Sequence, residues 1–255
     1  MTRTAIVTGA SRGIGRGIAL RLAAEGYDVA LVARSADTLQ DVAKEVGAAG
    51  RRAVPLALDL RQADAGDRAV AGAVEALGGV DLLVNNAGAT KRGDFFSLTE
   101  EDFQDGFALK FHGAVRMTRA AWPHLKAAGG AMVNIIGVGA RNPSPDFTIG
   151  GSVNAACANF AKAMAQIGTR DGVRVNAVHP GLVRTDRLMV WVRQAMEKDG
   201  LDEASVLARM AADSETTRIG EVEDIAALVA FLASPEASFI HGSIVDIDGG
   251  RTRGM

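Results

Sequence analysis

Short apolar runs alternate with longer helical stretches along almost the whole chain of 255 residues. Residues 4–7 and 28–33 are typical of these runs, and each precedes a stretch with the apolar spacing of a helix. The runs lack the polar alternation of a half-exposed strand, which indicates strands buried on both faces. Repeated strand–helix units of this kind predict an α/β fold built on a doubly wound parallel sheet.

The same rhythm bears on domain organisation. No linker, repeat or shift in composition divides the chain, so residues 1–255 are expected to form a single domain. Residues 182–213 depart from the rhythm, are rich in methionine and charge, and follow the carboxyl end of a predicted strand. Ligands bind at those ends in open α/β sheets, so we interpret the segment as a substrate lid. The alternative is a surface helical hairpin.

Charge and composition exclude several classes of partner. The chain has 28 Lys and Arg against 30 Asp and Glu, and a net charge of −2 gives no bulk attraction to nucleic acid or an anionic membrane. No apolar run approaches the roughly 20 residues of a membrane span, and no signal peptide precedes the first strand. Cys157 is the single cysteine, and the histidines lack metal-ligand spacing. We therefore expect a cytoplasmic protein without a metal site.

The first predicted strand ends in the sequence TGASRGIG, residues 8–15, and a helix begins inside it. Glycines here leave the backbone bare, so a pyrophosphate can reach the amide N–H groups at the positive end of the helix. Placement directly after the first strand of an α/β unit makes this loop typical of a dinucleotide site. The residues predicted to form the cradle are Gly9, Ser11, Arg12, Gly13, Ile14 and Gly15.

The end of the second strand indicates which dinucleotide binds. NAD sites usually place a carboxylate there, roughly twenty residues past the glycine loop, to hold the ribose 2′-hydroxyl. This chain has Arg34 instead, and Arg12 adds a second cation from the loop. Arginine suits the 2′-phosphate, so the sequence favours NADP(H) over NAD(H). The alternative is two solvated surface arginines.

Four motifs occur in a characteristic order: TGASRGIG (8–15), NNAG (85–88), RVNAVHPG (174–181) and IDGG (247–250). On these motifs the chain resembles the short-chain dehydrogenase/reductase family over essentially its whole length. The resemblance implies a single Rossmann domain with a seven-stranded parallel sheet, an NAD(P)(H)-dependent oxidoreductase acting on a carbonyl or alcohol, and a homodimer or homotetramer. It further implies cofactor contacts at Asp59, Leu60, Asn85, Ala87, Gly88, Pro180, Gly181 and Thr185.

The family's catalytic residues do not carry over. Its members typically use an Asn, a Ser and a Tyr-x-x-x-Lys, in which the tyrosine exchanges the proton and the lysine lowers its pKa. Counting from the flanking motifs puts Gly137 at the serine position, Gly150 at the tyrosine position and Asn154 at the lysine position. Where the family reads N-x-x-G in the long helix, this chain has Lys110. The one tyrosine, Tyr27, precedes the second strand, so no shift of register brings a phenol to the nicotinamide.

Lys110 is the leading candidate to replace the missing acid. Gly137 and Gly150 are expected to leave empty volume, into which a lysine stem from the neighbouring helix could reach. A desolvated lysine has a lowered pKa and could act as an acid or as a fixed cation for an anionic substrate. The alternative is a lysine that extends to solvent or to Asp146. Asn154 could still hydrogen-bond the ribose hydroxyls of the cofactor.

Three functions remain open at this point. The first is an NADP(H)-dependent oxidoreductase in which Lys110 or the substrate itself supplies the proton. The second is a catalytically silent protein that binds NADP(H) and oligomerises, which the missing tyrosine favours. The third is a non-redox lyase or isomerase that uses the amine of Lys110 as a nucleophile.

Overall fold

A computed structural model describes residues 2–253 of the chain. Within these residues, seven strands form one sheet in the order β3-β2-β1-β4-β5-β6-β7, and every pairing is parallel. The strands are β1 (Thr4–Thr8), β2 (Asp28–Ala33), β3 (Ala53–Ala57), β4 (Leu82–Asn85), β5 (Ala131–Ile135), β6 (Arg174–Pro180) and β7 (Ile244–Ile247). The predicted α/β fold with a seven-stranded, doubly wound parallel sheet is confirmed.

Helices cover both faces of the sheet. They are α1 (Gly13–Ala24), α2 (Ala36–Ala48), α3 (Ala65–Leu77), α4 (Glu100–Gly106), α5 (Gly113–Ala128), α6 (Thr148–Asp171), α7 (Asp186–Asp199), α8 (Glu203–Asp213) and α9 (Val222–Ala233). Among the helices of residues 2–253, none combines the length and apolar character that crossing a bilayer requires.

The strands form the core because successive side chains point to opposite, equally buried faces. Val7 and Leu31 pack on one face against α1, α2 and α9. Ile6 and Leu83 pack on the other face against α3 and α5. Burial of both faces explains why these runs read as continuously apolar in the sequence.

The order of the strands positions the site. β1 pairs with β2 on one side and with β4 on the other, so the direction in which the chain winds reverses at β1. The loops that leave β1 and β4 therefore diverge and open a crevice at the carboxyl edge of the sheet. The glycine loop follows β1 and the NNAG motif follows β4, so this crevice brings two of the four motifs together.

Residues 182–213 form a helical hairpin on that same edge. α7 and α8 join through Gly200 and pack on each other through Leu188, Val192 and Val206. The side chain of Asp202 caps α8 by accepting a hydrogen bond from the Ser205 N–H at 2.8 Å. The alternative interpretation of this segment, a helical hairpin, describes its form, and a lid function for the hairpin stays a prediction.

Candidate active site

The glycine loop has the geometry that a dinucleotide needs. Gly9 and Gly13 adopt φ angles of +66° and +53°, which favour glycine, and a Cβ on Gly15 would overlap the carbonyl oxygen of Gly9. α1 starts without a side-chain cap and without an acidic residue in its first turn. Its N–H groups and positive dipole end are therefore available to an anion, and this cradle fits a pyrophosphate.

Two arginines flank the cradle without a protein counter-ion. Arg12 and Arg34 are exposed, and neither has a carboxylate within 4 Å among residues 2–253. The neighbouring Arg61 is different, because it pairs with both Asp59 and Asp105. Arg34 is close enough to Asp105 to help lower the pKa of that carboxyl, but it forms no ion pair with it. Guanidinium groups without a directly paired carboxylate suit a phosphate monoester on the adenosine ribose.

The NNAG motif is fixed to the end of β1. Thr8 Oγ1 accepts hydrogen bonds from the N–H groups of Asn86 and Ala87 at 2.9 and 3.0 Å. The Asn85 side chain turns into the sheet and donates to Asn134 Oδ1 at 3.0 Å. The Asn85 side chain is therefore buried in the sheet, and the cleft contacts that the resemblance implies for Asn85 and Ala87 stay a prediction.

The other positions implied by the resemblance lie along the same edge. Pro180 ends β6 and is buried, and the methyl group of Thr185 packs beside Gly13 of the glycine loop. Leu60 is buried against Gly113 of α5. The structure thus brings the loops after β1, β4 and β6 to one crevice.

Lys110 lies in an irregular turn of the long helix. Thr99 caps this helix through a capping box with Asp102. Between α4 and α5, however, Phe107–His112 form a π-helix. A π-helical turn widens the helix and redirects its side chains, and such turns are frequent at functional sites. This turn sets the direction in which Lys110 leaves the helix.

The stem of Lys110 crosses the NNAG motif and enters the site. A Cβ on Gly88 would lie 2.9 Å from Lys110 Cδ, so a larger residue there would displace the stem from this path. Lys110 Nζ donates a hydrogen bond to Ile136 O and another, at 2.5 Å, to Asn154 Oδ1. The lysine therefore reaches inward, and Asp146 pairs instead with Arg92.

Burial lowers the pKa of Lys110 to about 8, and the positive charge of Arg187 adds to this while Cys157 opposes it. The Cys157 thiol is itself buried, which raises its pKa. His179 Nδ1–H donates to Asp246 Oδ1 at 3.1 Å, and burial lowers the pKa of the His179 imidazole. Lys110 is thus the group in this cluster whose protonation changes just above neutral pH.

The prediction that Gly150 leaves an empty volume beside it is wrong. A Cβ on Gly150 would fall inside the ring of Phe147, and a Cβ on Gly139 would lie 3.1 Å from the same ring. Gly137, at the serine position, has a φ of +122°, and a Cβ there would lie 3.2 Å from Asn154 Nδ2. The Phe147 ring occupies the space beside Gly150, and Lys110 approaches Asn154 of α6 from the neighbouring helix.

Replacing Gly150 with alanine should lower the free energy of unfolding by about 1–3 kcal/mol, because the new methyl group overpacks against the Phe147 ring. Chemical denaturation measures this loss. Gly47→Ala is the matched control, since Gly47 also lies in a helix but a Cβ there meets nothing within 4 Å. In a Phe147→Ala background the loss should vanish, and a loss that persists there would refute the overlap.

Comparisons with known proteins decide the family. A family model described as enoyl-(acyl carrier protein) reductase matches residues 9–252. The oxidoreductase UcpA of Salmonella typhimurium strain LT2 is 36% identical over 252 residues, which cover 98% of this chain and 94% of that protein. The chain belongs to the short-chain dehydrogenase/reductase family. As an oxidoreductase of this type, it shares its fold with many solved members.

Two solved short-chain dehydrogenase/reductases bear on the site. L-sorbose reductase from Gluconobacter frateurii, complexed with NADPH and L-sorbose, has a TM-score of 0.95 at 30% identity and covers 100% of this chain and 98% of its own. An NADPH-bound short-chain oxidoreductase from Pseudomonas aeruginosa PAO1, described as containing an atypical catalytic center, has a TM-score of 0.91 at 29% identity, covering 99% and 98%. Both neighbours bind NADPH.

The sequence missed two side chains of the site. Phe147 and Arg92 lie in loops before α6 and after β4, where no motif marks them. The one available signal is indirect: a family member that lacks the tyrosine ring needs another group to fill its space, and Phe147 is the aromatic residue nearest in sequence to Gly150.

Proposed function

We propose that this short-chain oxidoreductase reduces a carbonyl compound, or oxidises the matching alcohol, with NADP(H) and with Lys110 as the proton donor and acceptor. The observation that supports this is the position of Lys110 Nζ, which contacts Asn154 at the point where members of the family carry their own lysine. The bound dinucleotide supplies or accepts the hydride. The chain's own residues then need only to move one proton and to stabilise one developing charge.

Lys110 is held so that it can do both. Two of its three ammonium hydrogens point at Ile136 O and Asn154 Oδ1, which leaves one for a substrate oxygen. As the carbonyl carbon receives the hydride, its oxygen gains negative charge beside a fixed, desolvated ammonium group. Lys110 transfers its proton to that oxygen, and the neutral amine regains a proton from solvent. An acid with a pKa of about 8 suits proton transfer near neutral pH.

The cofactor preference follows from the cradle. The uncapped N-terminus of α1 would hold the pyrophosphate, and Arg12 and Arg34 would hold the 2′-phosphate. Asn154 Nδ2, which faces Gly137, remains free of Lys110 and would donate to the nicotinamide ribose. In this arrangement Asn154 takes the ribose contact while Lys110 keeps the charge.

Arg34→Asp should weaken NADPH binding by about 10–150-fold, because a charge-assisted hydrogen bond contributes about 1.5–3 kcal/mol. NADH affinity should rise, since an aspartate can accept from the ribose 2′-hydroxyl. Fluorescence titration with both coenzymes measures the change. Arg119→Asp is the control, because Arg119 is exposed on α5 and has no ion pair among residues 2–253. Equal affinity of the parent for NADPH and NADH would contradict the proposed role of Arg34.

Loss of NADPH absorbance tests the function itself. The purified protein is mixed with NADPH and a panel of aldehydes, ketoses and 3-oxoacyl thioesters, and Lys110→Met is measured beside it. Turnover by the parent that the variant loses supports the proposal. Tight NADPH binding with no absorbance loss at any pH favours the silent binding protein instead. A borohydride-trapped substrate adduct on Lys110 favours the lyase.

We also propose a homodimer or homotetramer, as the family resemblance implies. Phe231 on α9 and Phe239 after it are 44% and 102% exposed, so both apolar rings lie in contact with water. Burial of these rings against a second copy would remove their apolar surface from water.

A further inference from the structure

Arg92 lies at the mouth of the site, between three separate parts of the chain. Its guanidinium carbon is 4.1 Å from the ring centroid of Phe147 and 5.5 Å from that of Trp191 on α7. Its Nη1 donates to Asp146 Oδ2 at 2.6 Å, and the neighbouring Gly93 N–H donates to Asp146 O at 3.0 Å. The arginine is therefore held in place on an aromatic wall.

Asp146 uses only part of this guanidinium. The described hydrogen bond runs from Nη1 alone, so Nε and Nη2 keep their donors, and the side chain is 39% exposed. The Asp146 carboxylate also accepts from Ser144 Oγ, which spreads its charge over two partners. An arginine with free donors and aromatic faces beside it is well suited to bind an oxyanion through a bidentate contact.

The charged side chains considered with Arg92 have a positive net charge. Lys110 lies in the site, and Arg187 on α7 is close enough to lower the pKa of Lys110. Across residues 2–253, the only carboxylate within 4 Å of any of these three cations is that of Asp146. A neutral substrate would leave this net positive charge uncompensated, whereas an anionic substrate would neutralise it.

The Phe147 ring connects Arg92 to the reacting centre. Arg92 covers this ring, and the same ring fills the space above Gly150. Gly150 and Asn154 are one helical turn apart, about 6 Å along α6, and Asn154 contacts Lys110 Nζ. The Phe147 ring and one turn of α6 therefore lie between Arg92 and Asn154, the residue that contacts Lys110 Nζ.

We propose that Arg92 binds an anionic group of the substrate, a carboxylate or a phosphate a few atoms away from the carbonyl. The substrate class is then an oxo acid or a phosphorylated carbonyl compound. This rests on the proposed function for one element, the placement of the carbonyl at Lys110. Trp191 belongs to the hairpin of residues 182–213, so an anion on Arg92 also lies against the predicted lid.

Binding can be measured apart from turnover. The chain has two tryptophans, and Trp122→Phe leaves Trp191 as the single fluorescent reporter beside Arg92. The protein loaded with the oxidised coenzyme NADP⁺, which cannot reduce a ketone, is titrated in this background with two pairs of probes, levulinate against methyl levulinate and dihydroxyacetone phosphate against dihydroxyacetone. The two pairs distinguish a carboxylate from a phosphate. Each charged probe of the preferred kind should bind about 10–150-fold more tightly than its neutral partner.

Arg92→Met should remove this preference and leave the affinity for the neutral probe unchanged. Arg92→Lys keeps the positive charge but loses the planar, bidentate geometry of the guanidinium, so it should retain part of the preference. Arg119→Met, on the exposed side of α5, should change nothing. Thermal melting of each variant shows whether it remains folded.

The outcomes separate this proposal from the function on which it rests. Equal binding of charged and neutral probes, no saturable response to either anion, or a preference that survives in Arg92→Met overturns the role of Arg92. Turnover of neutral carbonyls without any preference for anions overturns Arg92 but keeps the oxidoreductase. Selective anion binding without turnover of any carbonyl keeps Arg92 and overturns the proposed reaction.

Discussion

Lys110→Met should lower kcat for carbonyl reduction by about 10²–10⁴-fold, the usual contribution of a positioned general acid. Methionine fills the space of the lysine stem, which packs against Gly88, but it provides no proton and no charge. The glycine loop and Arg34 are untouched, so the dissociation constant for NADPH should stay the same. Steady-state kinetics and a coenzyme titration on the same preparation measure the two quantities.

Two further variants show which property of Lys110 matters. Lys44→Met is the control, because Lys44 is 76% exposed on α2 and only pairs with Asp41 one helical turn away. Lys110→Arg keeps a positive charge but cannot release a proton near neutral pH. Recovery of most of the rate in Lys110→Arg would mean that the site needs a fixed cation. A Lys110→Met protein as fast as the parent would remove Lys110 from the mechanism.

The pH profile of the parent gives an independent readout of Lys110. Burial lowers its pKa to about 8, so the ammonium form prevails below that pH and disappears above it. Reduction needs the protonated form, and its rate should be level below pH 8 and fall about tenfold per unit above it. Alcohol oxidation needs the neutral amine and should show the opposite dependence. Burial lowers the pKa of His179 and raises that of Cys157, which moves both away from this limb.

The fold and the conformation of the glycine loop were predictable because they depend on local chemistry in a fixed order. β2 begins and ends where the apolar run predicts, at Asp28 and Ala33, since both faces of that strand are buried. Thr99 starts its helix because a threonine three residues before Asp102 forms a capping box. The glycine loop is recognisable because the carbonyl oxygen of Gly9 lies so close to Gly15 that only glycine fits there.

The reacting centre was less predictable because it depends on contacts between distant parts of the chain. The sequence indicated Lys110 by its position, but the π-helix at Phe107–His112 that directs its side chain has no signature in single residues. Phe147 precedes Gly150 by three residues, yet whether its ring points to solvent or back over α6 is decided by tertiary packing with Arg92 and Gly139. A motif compared position by position at Gly150 therefore gives no sign that the ring of Phe147 lies beside it.

The proposed exchange of roles between Lys110 and Asn154 leads to a further test. Under the proposed function, α6 supplies the amide of Asn154 where the family resemblance implies a lysine, and the cation comes from the π-helical turn before α5. The amide accepts a hydrogen bond from the ammonium group without adding a negative charge. A neutral partner is therefore one reason that burial is able to lower the pKa of Lys110 as far as it does.

Asn154→Asp should accordingly raise the pKa of Lys110 and move the alkaline limb of the reduction profile upward by about 1–3 pH units. The change is nearly isosteric and puts a carboxylate oxygen 2.5 Å from Lys110 Nζ, where it stabilises the ammonium form. At pH values below 8 the rate should fall, because a lysine of higher pKa is a weaker acid. Measurement of kcat from pH 6 to 10 with the parent and the variant separates the two effects.

Gln104→Glu is the matched control for added charge. Gln104 is exposed on α4, six residues before Lys110, and its side chain donates a hydrogen bond to Glu100 Oε1 at 3.1 Å. A glutamate there is screened by water and salt, so it should leave the limb in place. A limb that stays near pH 8 in Asn154→Asp, or that moves equally in Gln104→Glu, would show that the titrating group is not the amine held by Asn154. A shift confined to Asn154→Asp would show that the group titrating in the reaction is Lys110 Nζ, which donates a hydrogen bond to residue 154.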